Sequence, residues 1–359
     1  MKFRYCLLAA LALVGCSKVE KPETSPSFTG ARIVSSYLAI LEKPTATRCL
    51  IAGSRAGDYR EFFERAGLKV DNLDEKSGKY DMVFIAGDTK GPIGILVDKC
   101  LAAKGVLARV VDAREKRINE LETEFTQFKA LLPSAHLWMP GIEDWLLVGR
   151  SESAKIKLSA MMEVFAREDS FDDLDAAGCS SLPELFASYV GTLDEVLPAF
   201  AGLDGAALAR PQFFVAKAIP AIDWIDVDEA VDADVMAAVA AESRAMQEAR
   251  RTVLEGGILA DAHQIDEATE AWARAAAANP RDPMLIDRLE RLWKNADTFF
   301  RVGNFALAAK CYETYLMIRP DDWQSAEALA FCLNQLGQRD LAAQIHDKAM
   351  RLKDGNQAR

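Results

Sequence analysis

Ala135-His136-Leu137-Trp138-Met139-Pro140-Gly141-Ile142-Glu143-Asp144-Trp145-Leu146-Leu147-Val148-Gly149 reads as two apolar strands, Ala135 to Met139 and Trp145 to Gly149, around a Pro-Gly turn. That is the signature of an antiparallel hairpin. Upstream, strand-like and helix-like segments alternate. Arg48 to Gly53 is an apolar strand, Asp58 to Ala66 a helix and Tyr80 to Ala86 a second apolar strand; a helix around Ile93 to Ala103, a strand Val106 to Val111 and a long helix Glu115 to Leu132 follow. Alternation of this kind predicts a parallel sheet covered by helices. The hairpin then closes an otherwise parallel sheet with an antiparallel edge.

The order and the wording of these segments resemble the spermidine synthase-like group of class I methyltransferase folds, over about residues 37 to 225. Leu41-Glu42-Lys43-Pro44 and Cys49-Leu50-Ile51-Ala52-Gly53-Ser54-Arg55-Ala56-Gly57 stand where that family has a proline-preceded strand and a glycine-rich nucleotide loop. Tyr80-Asp81-Met82-Val83-Phe84-Ile85 stands at the strand leading to its catalytic aspartate. Lys104-Gly105-Val106-Leu107-Ala108, Leu137-Trp138 and Asp144 to Gly149 match its last strands. The resemblance implies a site for S-adenosylmethionine or its decarboxylated form, held at Gly53 and Gly57, with an aspartate for the amine substrate.

The departures point away from that chemistry. Close approach of backbone to a cofactor wants glycine, yet Ala52, Ser54, Arg55 and Ala56 surround the two that remain. Ala86 stands where the aspartate should follow the strand, and Asp88 comes two residues late. Only 22 residues separate Gly57 from Tyr80, too few for the family's usual two further strands and their helices. Asp71 and Asp74 read as solvated loop carboxylates rather than ribose ligands. The expectation is therefore a degenerate domain with no catalytic residue and no cofactor; the alternative is a residual aminopropyl- or methyltransferase using Asp88 with Gly53 and Gly57.

The C-terminal third carries an internal period. Ala296, Phe299, Gly303, Ala308, Tyr312 and Pro320 recur 34 residues later as Ala330, Leu333, Gly337, Ala342, His346 and Asp354. A third copy, Gly256, Leu259, His263, Ala268, Trp272 and Pro280, lies 40 residues upstream, with about six extra residues around Arg281 to Arg291. Small residues let paired helices approach, aromatic ones fill the space between them, and glycine suits the turns. The pattern resembles tetratricopeptide repeats over 249 to 354, which implies a protein or peptide partner.

At the N-terminus a basic head, Lys2 and Arg4, precedes an apolar run from Tyr5 to Val14, and Leu13-Val14-Gly15-Cys16 resembles a bacterial lipobox. Such a run is too short for a span needing about 20 residues and reads as a cleaved signal. Cys16 is then the lipidation site, and the Pro/Ser-rich polar stretch after it a tether. This places the protein on the cell envelope, at the outer membrane facing the periplasm. The division expected is a lipoprotein signal peptide at 1–15, a tether at 16–30, the α/β domain at 31–230 and the helical repeats at 231–359.

Composition narrows the classes further. The chain has 359 residues, is half hydrophobic and has a formal net charge of -11, and it shows no Lys/Arg-rich stripe. Nucleic acid is excluded as a partner on that charge. Cys49, Cys100, Cys179, Cys311 and Cys332 lack CxxC spacing and read as small buried residues, with a Cys311–Cys332 bridge as the alternative. His136, His263 and His346 are too dispersed for a triad or a metal site. Asp226 to Asp232 lacks the glycine of a calcium loop and reads as a helix start, as does Glu168 to Asp173. Trp138, Trp145 and Trp224 read as packing.

Overall fold

The computed structural model describes residues 26–74, 78–89, 92–114, 116–150, 155–208, 225–226, 233–262 and 264–357. Cys16, His263 and Trp224 lie outside these. The described residues up to Leu254, together with Arg281–Met284, form one compact unit; Glu255–Pro280 and Leu285–Arg359 form the other.

The first unit opens with α1 (Pro26–Leu41), followed by β1 (Arg48–Ala52), a 3-10 turn and α2 (Arg60–Arg65), β2 (Lys69–Asn72) and β3 (Tyr80–Ala86). Next come α3 (Ile93–Cys100), β4 (Leu101–Asp112), α4 (Ile118–Leu131) and the hairpin β5 (Ser134–Trp138) and β6 (Asp144–Arg150). The two-residue β7 (Ile156–Lys157), α5 (Leu158–Phe165), α6 (Glu168–Ala176), α7 (Leu182–Phe186), β8 (Tyr189–Thr192), α8 (Leu193–Val196) and the two-residue β9 (Ile225–Asp226) complete it.

Seven strands form one mixed sheet in the order β2-β1-β3-β4-β6-β5-β8. The first four run parallel, β6 lies antiparallel between β4 and β5, and β8 pairs antiparallel with β5. Cys49, Leu50, Ile51 and Ala52 of β1 and Met82 to Ala86 of β3 are all buried. Strands covered on both faces carry continuous apolar runs for this reason.

Several boundaries moved. α1 begins at Pro26, inside the stretch read as a tether; from Ala31 onward its apolar residues are buried, and Ile33, Val34 and Tyr37 to Leu41 belong to the core cluster of the unit. The helix expected to reach Ala103 stops at Cys100, because Leu101 enters the ladder opposite Tyr80. The long helix opens at Ile118, where the Arg117 amide donates to Glu120 Oε2 at 2.7 Å. Among the described residues between Gly57 and Tyr80 there is one strand, β2. The acidic run at Glu168 does start a helix, but Asp173 is buried: Tyr37 Oη donates to it at 2.8 Å and Arg65 pairs with it. Asp71 is no loop carboxylate either; it sits on β2 and accepts from Tyr80 Oη at 2.9 Å and Arg48 Nη2 at 3.0 Å, which together hold its carboxyl below the usual range.

The C-terminal helices are α9 (Ala233–Asp261), α10 (Ile265–Ala278), α11 (Pro283–Arg301), α12 (Phe305–Ile318), α13 (Trp323–Gln335) and α14 (Arg339–Gln357). Gly303 and Gly337, 34 residues apart, both turn the chain at positive φ, +74° and +80°. Ala296, Ala308, Tyr312, Cys332, Leu333 and Ala342, all singled out by the period or its cysteines, share one apolar cluster. Gly256 is small for a packing reason: a Cβ there would meet Trp272 Nε1 at 2.4 Å. Cys311 and Cys332 are free and buried, and burial pushes their thiols up to about 12 and about 11. The six extra residues lengthen a helix: α11 has 19 residues against 13 in α13.

Asp282 starts that longer helix within the first unit. Its Oδ1 accepts from the Met284 amide at 2.9 Å and its Oδ2 from Arg250 Nε at 2.9 Å, while Arg250 Nη1 donates to the Met139 carbonyl at 2.9 Å. Both side chains are 5% exposed. Removing one partner from a buried pair strands the other charge, so Asp282→Ala is expected to cost about 3–5 kcal/mol in urea denaturation. Adding Arg250→Met should recover much of that loss.

His136, 3% exposed, is held neutral: burial, then the charge of Arg150, pushes its imidazole from 6.5 down to about 3. Between those values the unfolded chain binds a proton that the folded chain does not, so stability falls as pH drops from 6.5 toward 3. His136→Gln should flatten that slope by about 2 kcal/mol between pH 6 and 4.5, read from urea midpoints across pH.

Candidate functional site

The strand order reverses between β1 and β3, and in open parallel sheets such a point is where ligands lodge, beyond the carboxyl ends of the strands. Gly53, Gly57 and Asp88 all come to this edge. They do not build a cradle there. The Ser54 amide donates to the Asp88 carbonyl at 2.9 Å, the Arg55 amide to the Ala86 carbonyl at 3.0 Å, and the Asp88 amide to Ser54 Oγ at 3.2 Å. The loop after β1 is thereby bonded to the loop after β3.

Arg55 is the residue that sequence reading treated only as an obstruction, and it organises the edge. Its guanidinium lies 3.3 Å from Asp144, 3.8 Å from Asp58 and 3.9 Å from Asp112, and Nη2 donates to Tyr59 Oη at 3.4 Å. Asp112 and Asp144 are register partners where β4 ends and β6 begins. Asp144 is 3% exposed, so its charge needs a close cation. Arg114 pairs with Glu143 at 2.6 Å and Arg32 of α1 with Asp58 at 3.2 Å, extending one network of fixed charges. The signal that could have found it was the pairing of a lone arginine in a glycine loop with aspartates at two strand termini.

The two glycines differ. Gly53 has φ +105°, and a Cβ on it would stand 2.2 Å from the Ala86 carbonyl oxygen; the requirement is internal to the fold. Gly57 lies in the 3-10 turn with nothing within 4 Å of an added Cβ. Asp88 is exposed, with its backbone committed to Ser54. Among the described residues, no three His, Cys, Asp or Glu side chains gather as a metal site, and no helix is long and apolar enough to cross a membrane.

A second concavity belongs to the helical unit. Ile286, Leu289, Glu290, Trp293 and Lys294 fall on one face of α11, and with Tyr315, Arg319, Asp321, Asp322 and Gln324 they line an open groove of about 410 Å³. Trp293 is 38% exposed. Seven residues on, Phe300 packs against Phe305 and Phe331 with ring centroids 5.3–6.0 Å apart, and Phe331 is 47% exposed. Asp322 shapes the rim: its Oδ1 accepts from the Gln324 amide at 3.0 Å, which caps α13.

If Gly53 serves the strand-loop contact and Gly57 serves nothing, their substitutions should separate. Gly53→Ala is expected to lose about 3 kcal/mol of stability, and Gly57→Ala to stay within about 0.5 kcal/mol, in thermal and urea melts. Equal losses would refute that account of the loop.

No family model matches the chain, and no curated protein matches it. Among solved structures it is similar to one titled "Crystal structure of MamA", at 19% identity, covering 35% of this chain and 74% of that one, with a TM-score of 0.20. A likeness of this size carries no argument about fold or function.

Proposed function

We propose that the chain is a non-catalytic, lipid-anchored envelope protein. In this reading a degenerate spermidine synthase-like domain accompanies tetratricopeptide-type repeats that bind another protein or peptide. The observation that carries the binding role is the groove on α11. It combines an exposed indole and aliphatic side chains with charged groups of both signs on its rim, the composition that anchors an extended peptide and orients it. The 34-residue period, with its glycine turns, supports naming the helices as repeats.

The ancestry is supported by β6, antiparallel and inserted between β4 and β5, as the closing hairpin of that family requires. Loss of chemistry is supported by Arg55. S-adenosylmethionine and its decarboxylated form are cationic at sulfur, and Arg55 would stand as a second cation beside β1, on a loop where Ser54 and Arg55 carry side chains that close backbone approach does not want. Those residues do not fit the cofactor, and Ala86 supplies no carboxylate for an amine. Cys16 acylation is part of the proposal and rests on the lipobox alone.

The test uses crosslinked envelopes from cells making the full chain. A specific partner should co-purify, and Trp293→Ala should weaken its capture at least about tenfold, as loss of an anchoring indole does. Cys16→Ser should release the protein from the membrane fraction. Capture indifferent to Trp293→Ala would reject the groove. Calorimetry with S-adenosylmethionine and methylthioadenosine should show no heat of binding; specific binding lost in Asp88→Ala would restore the transferase reading.

A further inference from the structure

The groove on α11 continues past its pocket. On α13, Gln324, Glu327 and Phe331 follow one another at the three- and four-residue spacing that puts side chains on one helix face, and all three are exposed. On α11, Trp293 and Phe300 stand seven residues apart and also share a face, about 10 Å from each other along the axis. The two helices meet at both ends of this stretch: Trp293 and Gln324 line the same pocket, and the Phe300 and Phe331 rings lie 5.3 Å apart. One trough therefore runs between α11 and α13. It has an exposed indole near one end and the 47% exposed ring of Phe331 near the other.

The charges along this trough are unevenly committed. Its bordering cations are held: Lys294 by Glu290 at 3.5 Å, Arg301 by Asp297 at 2.8 Å, and Arg319 through Nη2 by the Pro280 carbonyl at 2.9 Å. Asp322 is held as the cap of α13. Asp321, in the pocket lining, and Glu327, between Gln324 and Phe331, are exposed carboxylates that form no ion pair among the described residues. The charge left unmatched is thus negative, and it lies beside and between the two aromatic positions. Such a surface is complementary to a cation placed between two apolar groups.

We propose that the trough takes an extended segment of a partner protein that carries two large apolar side chains three residues apart, with a lysine or arginine at one of the two positions between them. An extended chain advances about 3.1–3.4 Å per residue, so three residues cover the roughly 10 Å from Trp293 to the Phe300–Phe331 pair. With three residues per turn in the polyproline conformation, both apolar side chains leave the backbone on the same side. One enters the pocket beside Trp293, the other lies on Phe331, and the cation between them meets Glu327. The net charge of -11 on the chain adds long-range attraction for a basic segment. This rests on the groove as a peptide site and adds the chemistry of the partner.

The test is selection of short random peptides displayed on phage against the whole chain, with fluorescence polarisation of the recovered peptides. These should share the two apolar residues at that spacing with Lys or Arg inside it. Trp293→Ala and Phe331→Ala should each weaken binding about tenfold or more. Asp321→Asn/Glu327→Gln should weaken it about threefold at low salt and less at high salt, and Glu327→Lys should turn the selected interior residue from basic to acidic. Thermal melts of the charge variants should match the parent, because both carboxylates are exposed. Should Phe331→Ala lower the melting temperature, the charge variants decide alone. Peptides that need Trp293 but lack a basic residue, or whose binding ignores Asp321→Asn/Glu327→Gln or a stably folded Phe331→Ala, overturn this inference and leave the groove standing. Recovery of no peptide that needs Trp293 overturns both.

Discussion

Burial of the parallel strands on both faces is the constraint from which the first unit follows. With β1 and β3 inaccessible from above and below, every backbone group must be paired within the ladder or at its ends, and side chains on both faces must be apolar. Along those two strands charged side chains are left to the ends. Beyond their carboxyl ends Arg55 is locked among Asp58, Asp112 and Asp144.

At the carboxyl ends of β1 and β3 the two loops are committed to each other. The Ser54 and Arg55 amides bond to the Asp88 and Ala86 carbonyls. Gly53 is explained by a 2.2 Å approach to the Ala86 carbonyl oxygen that any Cβ there would make. The charge of the buried Asp144 is tolerable only while Arg55 remains beside it.

In the helical unit the period marks positions by size. Ala296, Ala308 and Ala342 sit in the shared cluster because neighbouring helices approach there, and Gly256 has room for no methyl beside Trp272. Residues that the period does not mark divide: Ala309 and Leu329 join the cluster, while Trp293 and Phe331 are exposed. The periodic residues thus hold the helices together, and the groove along α11 is lined by residues outside the period.

Alternating apolar segments, the Pro-Gly hairpin and the 34-residue recurrence determined most of the architecture from the residues alone, because each is a local pattern of hydrophobicity or turn chemistry. The strands β1, β3, β5 and β6 and the glycine turns at 303 and 337 were legible in that way. α1 was not, since its first residues read as polar tether until its apolar face met the sheet. β2 and β8 were too short to show a period. Tertiary structure alone decided that Asp173 and Asp71 are partnered, that Asp282 meets Arg250 across 32 positions and that Arg55 stands at the switch point among Asp58, Asp112 and Asp144. The physical reason is common to all of these: a charge acts over a few ångströms of space, and distance along the chain says nothing about which charges will share them.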